Sequence, residues 1–187
     1  MFEGAKYGLP LRPLLSNPGI PGTVLVPLTR GRYAIIDTED SVAVAQHNWH
    51  CRINKNKFYA GYVKRQGERM KYTQLHRFLW TLWKMPPSAI LDHRNGDGLD
   101  CRRANVRAAT SSQNCFNACR QARNTTGYRG VWWNRSRNRY QAVIHANGVG
   151  QFLGNFATKE EAALAYAAAA RKLHGEYAHA ELLQEVR

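Results

Sequence analysis

Asp92, His93, Asn105 and Asn114 fall within residues 91–114, LDHRNGDGLDCRRANVRAATSSQN. Brought to one point, they offer two oxygen ligands, one imidazole and one amide. Those parts suffice for metal-assisted hydrolysis of a phosphodiester, with the cation held by oxygen and the imidazole acting on water. The elements that must position them can be read from the same stretch. An apolar run, Ala89-Ile90-Leu91, leads into the Asp-His pair as a strand. A tight turn at Asn95-Gly96-Asp97-Gly98 follows, then a second strand around Asn105-Val106-Arg107. Thr110 is an expected helix N-cap, and Gln113 three residues on completes a capping box, which puts Asn114 on the first turn of a helix.

Two plainer readings compete. A lone Asn95-Gly96 is adequately explained as a hairpin turn, but that leaves the set of polar residues around it without a role. An EF-hand loop would need its first ligand at His93 and its last at Ala104. Neither supplies the carboxylate that calcium requires, so that reading is rejected.

At these residues the chain resembles the His-Asn-His (HNH, ββα-metal) endonucleases, in the form whose last position is Asn. The resemblance covers roughly residues 70–118. Leu75-His76-Arg77 and Asn95-Gly96-Asp97-Gly98-Leu99-Asp100 are similar to the phage and homing-endonuclease branch. It implies that Asp92 and Asn114 bind one divalent cation, Mg²⁺ or Mn²⁺, and that Asp92 and His93 carry the chemistry. His93 is the implied general base, with a pKa near neutrality. Asn105 is implied to hold the hairpin and the His93 ring. His76 is implied as an accessory residue, although a surface histidine is usually inert. Cys101 stands where relatives usually carry Asn; it is expected to weaken the turn without touching the chemistry.

At 187 residues the chain has room for one medium domain or two small ones, and 44% apolar residues are enough for a core. The net charge of +14 calls for an anionic partner, with nucleic acid the leading candidate. No apolar run approaches the ~20 residues of a membrane span. Met1-Phe2-Glu3-Gly4 lacks the basic-then-apolar start of a signal peptide, so a cytoplasmic location is expected, the host's if the gene is a phage's. Cys51, Cys101, Cys115 and Cys119 form no CxxC pair and are expected as reduced thiols rather than zinc ligands.

In chain order, residues 1–22 are rich in Pro and Gly and are expected to form an irregular arm. Strands are expected at 23–28, 32–36, 49–53, 57–64 and 70–74, with a short helix over 37–46. Basic residues in 30–71, interleaved with Trp49, Phe58, Tyr59 and Tyr62, fit a nucleic-acid face. They fit equally a solvated sheet with its aromatics inward, and the sequence leaves both open. A helix over 75–83 is stopped by Pro86-Pro87, with Leu75, Phe78, Leu79 and Leu82 on its packing face.

Residues 119–126 read as a linker, and from Gly127 the sequence changes style. Three strands are expected at 128–133, 139–145 and 151–156. The second has Tyr140, Ala142 and Ile144 on one face and Gln141, Val143 and His145 on the other. Thr158 with Glu161 forms a capping box that opens an alanine-rich helix, stopped by Gly175. Its packing stripe is expected at Ala162, Ala165, Tyr166, Ala169 and Leu173. This block, through YRGV and GNFATKEEAALAYAAAARKLHGEYA, resembles the AP2/ERF DNA-binding domain over about 125–180. The resemblance implies DNA contacts from Arg129, Trp132, Asn134, Val143, His145 and Phe152, with Arg135, Arg137 and Arg139 beside phosphates. Val143, His145 and Gly150 depart from residues common in plant members, so the target sequence is not inherited. Residues 120–145 hold six arginines and no acid, which favours phosphate contact whatever the target.

The expected fold is α+β: an arm (1–22), a β-rich lead-in with an HNH nuclease domain (23–118), a linker (119–126), an AP2/ERF-like domain (127–180) and a tail (181–187). The expected activity is metal-dependent cleavage of double-stranded DNA by a homing-type endonuclease, with no membrane partner; the sequence leaves the oligomeric state open and is compatible with a monomer. The rival from another class is a DNA-binding transcriptional regulator with an inactive nuclease half. An RNA-directed protein is the weaker third.

Overall fold

The computed structural model describes residues 11–54, 56–117, 124–146 and 148–179. Expectations for residues 1–10, Lys55, Cys119, most of the linker with Arg120 and Arg123, and the tail lie outside these. The chain divides into two compact units. One takes the described residues up to His93 together with Asp97–Ala108; the other takes Arg94–Gly96 and those from Ala109 onward. Both mix small antiparallel sheets with few helices.

The first unit begins with a sheet of β1 (Leu15–Ser16), β2 (Thr23–Pro27) and β3 (Tyr33–Asp37), in that order. Residues 11–22 are therefore not wholly irregular. Leu15 pairs with Leu25, and Arg12 Nη1 donates to the Trp49 carbonyl at 2.6 Å. A two-residue edge strand rests on backbone hydrogen bonds, which leave no periodic pattern to read. A short helix, α1 (Ser41–Val44), follows β3. The second sheet is β4 (His50–Asn54), β5 (Lys57–Gln66) and β6 (Arg69–Gln74), all antiparallel. Alternation along β5 sends Phe58, Ala60 and Tyr62 inward, so these aromatics are core-facing, as the plainer of the two surface readings holds. They join Val26, Ala34, Ile36, Val44, Trp49, Leu75 and Leu79 in one core.

Helix α2 (Leu75–Leu82) buries Leu75 and Leu79 completely, with Phe78 against the same core. Leu82 does not belong to that face: it is 42% exposed, and Trp80 is buried instead. The helix ends within a turn of Leu82, Lys84 adopts φ 54°, and Trp80 Nε1 donates to the Pro86 carbonyl at 2.8 Å. That exit anchors the indole and leaves the last leucine facing out. The hairpin of β7 (Leu91–His93) and β8 (Val106–Ala108) completes the unit. Its long connection is fastened to β3, where Ile35 N donates to Leu99 O at 2.9 Å and Cys101 N donates to Ile35 O at 2.8 Å. Leu99 and Cys101 are core residues, so the loop is held from beneath.

The second unit opens with α3 (Ser111–Asn117), capped as expected. Thr110 N donates to Gln113 Oε1 at 2.8 Å, and Gln113 N donates to Thr110 Oγ1 at 3.2 Å. Strands β9 (Val131–Asn134), β10 (Arg139–Ala146) and β11 (Val149–Phe156) form an antiparallel sheet with β10 central. Helix α4 (Lys159–His174) covers one face, and its Thr158–Glu161 capping box is complete. Ala142 and Ile144 are fully buried on that side, with Ala162, Tyr166 and Ala170 opposing them. The helix stripe is turned from the expected one: Ala167, Ala170 and His174 are buried, while Leu173 is 39% exposed. Alanines on most sides of this helix make its apolar period nearly uninformative. Gly130 has φ 65°, and a Cβ there would meet the Tyr166 ring at 2.2 Å, so only glycine allows this closeness.

Helix α3 packs within the second unit. The Phe116 and His174 rings stack with centroids 3.8 Å apart, and Arg129 Nη1 donates to the Phe116 carbonyl at 3.1 Å. The division between the units thus falls ahead of α3, whereas the sequence suggested a boundary at 119–126.

Candidate active site

The β7–β8 register sets Asp92 opposite Arg107 and His93 opposite Val106. Side chains directly opposed across an antiparallel pair lie within easy reach of each other. Arg107 donates to Asp92 Oδ2 through Nε at 3.0 Å and Nη2 at 2.8 Å, and both side chains are buried. This fork holds the carboxylate in place inside the protein.

His93, the next residue, points to the opposite face of the strand and is also buried. The His76 ring meets it edge-on, with centroids 4.9 Å apart, and Tyr59 lies 6.1 Å from each ring. His76 is only 4% exposed, not the surface residue that its helix position suggests. Its Nδ1 has no hydrogen-bond partner among the described residues. Gly98 lets the loop approach: a Cβ there would stand 2.5 Å from the Phe58 carbonyl oxygen and 2.6 Å from the Tyr59 ring.

Burial governs both imidazoles. It lowers the His93 pKa to about 4, against the opposing pull of Asp92, Asp97 and Asp100. His76 is lowered to about 3, first by burial and then by the positive charge that His93 and Arg77 can place beside it. The expected near-neutral value for His93 is thus corrected, because its ring is enclosed rather than solvated. Both rings are neutral at pH 7.

Asn105 is buried just ahead of β8, and its Nδ2 donates to the Asp100 carbonyl at 2.7 Å. It braces the connecting loop. Asp100 takes a bidentate grip from Arg102 at 2.7 and 2.6 Å, and Asp97 Oδ1 accepts from Leu99 N at 2.9 Å. The Cys101 thiol donates to Gly98 O at 3.8 Å and lies against the His76 backbone, so it does touch a residue of the site. Burial pushes its pKa up, which keeps it a neutral thiol.

The first unit therefore sets His93 against His76, while Asp92, on the other face of the same strand, is held by Arg107 and Asn105 by the connecting loop. Asn114 belongs to the second unit, exposed on the first turn of α3, with its backbone N donating to Thr110 O at 3.0 Å. Among the described residues, no group of three or more His, Cys, Asp or Glu side chains is placed to hold a metal ion. Sequence reasoning misses Arg107 and Tyr59. Arg107 is findable only through register, since the twelve residues between His93 and Val106 leave the pairing open.

In the second unit, cross-strand register sets Trp132 opposite Gln141, Asn134 opposite Arg139 and Val143 opposite Phe152. With His145 they share the sheet face turned away from α4, and Trp132 and Phe152 are 41% and 55% exposed there. Arg135 and Arg137 are exposed on the β9–β10 turn, which Asn134 caps by accepting from Ser136 Oγ and Arg137 N. Arg129 is placed otherwise, bonded to the Phe116 carbonyl.

These features define a mixed α/β protein with a buried Asp-His pair on a hairpin and a second, sheet-and-helix unit. No family model matches the chain, and no solved structure does. It is 30% identical over 152 residues to an uncharacterized HNH endonuclease of Acanthamoeba polyphaga mimivirus, across 80% of this chain and 74% of the relative. The chain belongs to the HNH endonuclease family. No helix among its described residues is long and apolar enough to cross a membrane.

Proposed function

We propose that the protein is a metal-dependent endonuclease that hydrolyses phosphodiester bonds in double-stranded DNA. The observation that carries this reading is the buried Asp92–His93 pair, one residue gripped by Arg107 and the other met edge-on by His76. His93 is the general base. Neutral at physiological pH, it can accept a proton from the water that attacks phosphorus, while the 3′ oxygen departs. A phosphate anion arriving beside it raises its basicity from the low value of the enclosed ring.

The donor chemistry fits a hard cation that keeps most of its waters. Asp92 and Asn114 would be its donors, a carboxylate and an amide oxygen that suit Mg²⁺ or Mn²⁺ and not a thiolate-bound metal. When bound, such an ion would supply charge stabilisation at the leaving oxygen. Arg107 orients Asp92, Asn105 braces the loop, and His76 restrains the His93 ring.

The second unit is an AP2/ERF-like DNA-binding domain in this reading. Its open face with Trp132, Asn134, Val143, His145 and Phe152, flanked by Arg135, Arg137 and Arg139, supports that role. The homing type rests on the likeness of the Asn95–Asp100 turn to that branch. The test is incubation of supercoiled plasmid with the purified chain in Mg²⁺ and in EDTA, beside an equal RNA substrate. Nicked or linear DNA in Mg²⁺ alone is expected. Intact DNA in every metal, with binding retained, would instead favour the regulator.

A further inference from the structure

Helix α3 is seven residues long, and isolated helices that short are marginal at best in water. What orders it lies at its two ends. The capping box of Thr110 and Gln113 closes the first turn. The last turn is held within the sheet-and-helix unit, where the Phe116 ring lies flat on His174, with centroids 3.8 Å apart and planes 5° from parallel. Arg129 Nη1 donates to the Phe116 carbonyl at 3.1 Å, one of the last carbonyls for which a helix has no partner of its own.

His174 is held on its other side as well. It ends α4, and its Nε2 lies 2.9 Å from the carbonyl oxygen of His145 on β10. That oxygen can only accept, so Nε2 donates. The imidazole is thus fastened to the central strand by its edge and to α3 by its face, and His174→Phe would keep only the second of these. At 3.6 residues per turn, Asn114 stands roughly 200° around α3 from Phe116. The side of the helix bound to His174 therefore leaves Asn114 exposed on the other. Fixing Phe116 fixes the rotation of α3 about its axis, and with it the direction in which Asn114 is presented.

We propose that His174 is a positioning residue for the metal ligand Asn114, acting through its stack on Phe116 to set the orientation of α3. The proposal rests on the assignment of Asn114 to the metal in the reading above. It gives the second unit a task besides holding DNA, because the residue that fixes α3 is the last of the helix covering the sheet. Partners that orient a metal ligand from behind typically change metal affinity or activity by about 10–100-fold when they are lost.

The test uses the full chain without DNA and takes two readouts. Hydrogen exchange of the α3 amides is followed in EDTA, and Mn²⁺ binding is followed by the paramagnetic resonance of the free ion. In His174→Ala the α3 amides should exchange about tenfold faster, the fold-change that one lost aromatic stack is worth. Mn²⁺ should bind about 10–100-fold more weakly. His174→Phe, which keeps the stack, should stay near wild type in both readouts. Phe116→Leu removes the stack from the side of α3 and spares the bond to His145, so it carries the test if His174→Ala does not fold. Wild-type exchange and Mn²⁺ affinity in either stack-deleting variant, whatever its urea midpoint, would reduce the stack to a stabilising contact and overturn the proposal. Faster exchange with unchanged Mn²⁺ affinity would overturn it too. Asn114→Ala is the control, expected to lose Mn²⁺ affinity with α3 exchange near wild type. If it binds Mn²⁺ as wild type does, the ligand assignment itself fails, and the role of His174 falls with it.

Discussion

Arg107 and Asp92 face each other across the β7–β8 hairpin, with Nε and Nη2 of the guanidinium donating to Oδ2 and both side chains buried. Removing one partner from a buried ion pair leaves an uncompensated charge and typically costs about 3–5 kcal/mol. Arg107→Met should lower the stability of the protein in chelator by about that much, read from urea unfolding. If Asp92 is a metal ligand, an added divalent cation should recover part of the loss. The melting temperature of the variant should then rise with Mg²⁺ more than that of wild type. Equal Mg²⁺ responses would separate Asp92 from the metal.

His93→Ala should reduce the cleavage rate by about 10²–10⁴-fold, the usual worth of general-base catalysis, with DNA affinity nearly unchanged. Single-turnover cleavage beside duplex binding measures both. Wild-type rates in the variant would remove His93 from the chemistry.

His76 makes stability depend on pH with a definite sign. Its folded-state pKa of about 3 lies below its ordinary 6.5, so between those values the unfolded chain binds the extra proton. The contribution is fully present above pH 6.5 and is lost as pH falls toward 3. A tenfold change in proton affinity corresponds to about 1.4 kcal/mol, so the loss is on the order of a few kcal/mol. His76→Gln cannot take up that proton, and its stability should fall less steeply from pH 6.5 to 4.5 in chelator. Parallel curves for the two proteins would show that His76 is not enclosed in solution.

Some of this is legible in the sequence because local chemistry decides it. The Thr110–Gln113 and Thr158–Glu161 boxes and the alternation along β10 are short-range patterns, and each forms at the expected residues. What escapes depends on distant segments. The burial of His76 comes from packing against His93 and Tyr59, and its own helix gives no sign of it. The lowered pKa of His93 has the same origin. The α4 stripe fails for a different reason, since a helix rich in alanine looks alike from several sides.

Family resemblance assigns both Arg129 and Arg137 to DNA, and the structure separates them. Arg129 Nη1 donates to the Phe116 carbonyl, and Phe116 stacks on His174, so this arginine ties the sheet-and-helix unit to α3. Arg137 is exposed on the β9–β10 turn with its backbone N held by Asn134 Oδ1 at 3.2 Å. A side chain that neutralises a phosphate should change the salt slope, whereas one that satisfies a carbonyl should change stability. Arg137→Gln is therefore expected to flatten the log–log salt slope of duplex binding by about 1 and to leave unfolding unchanged. Arg129→Gln is expected to lower stability by roughly 1–3 kcal/mol, the range for an arginine hydrogen bond lost from a partly buried carbonyl, and to leave the slope near wild type. Urea unfolding and anisotropy on the same two proteins check both halves. If Arg129→Gln flattens the slope while stability holds, its bond to Phe116 gives way to phosphate when DNA arrives, and the assignment of Arg129 to α3 is wrong.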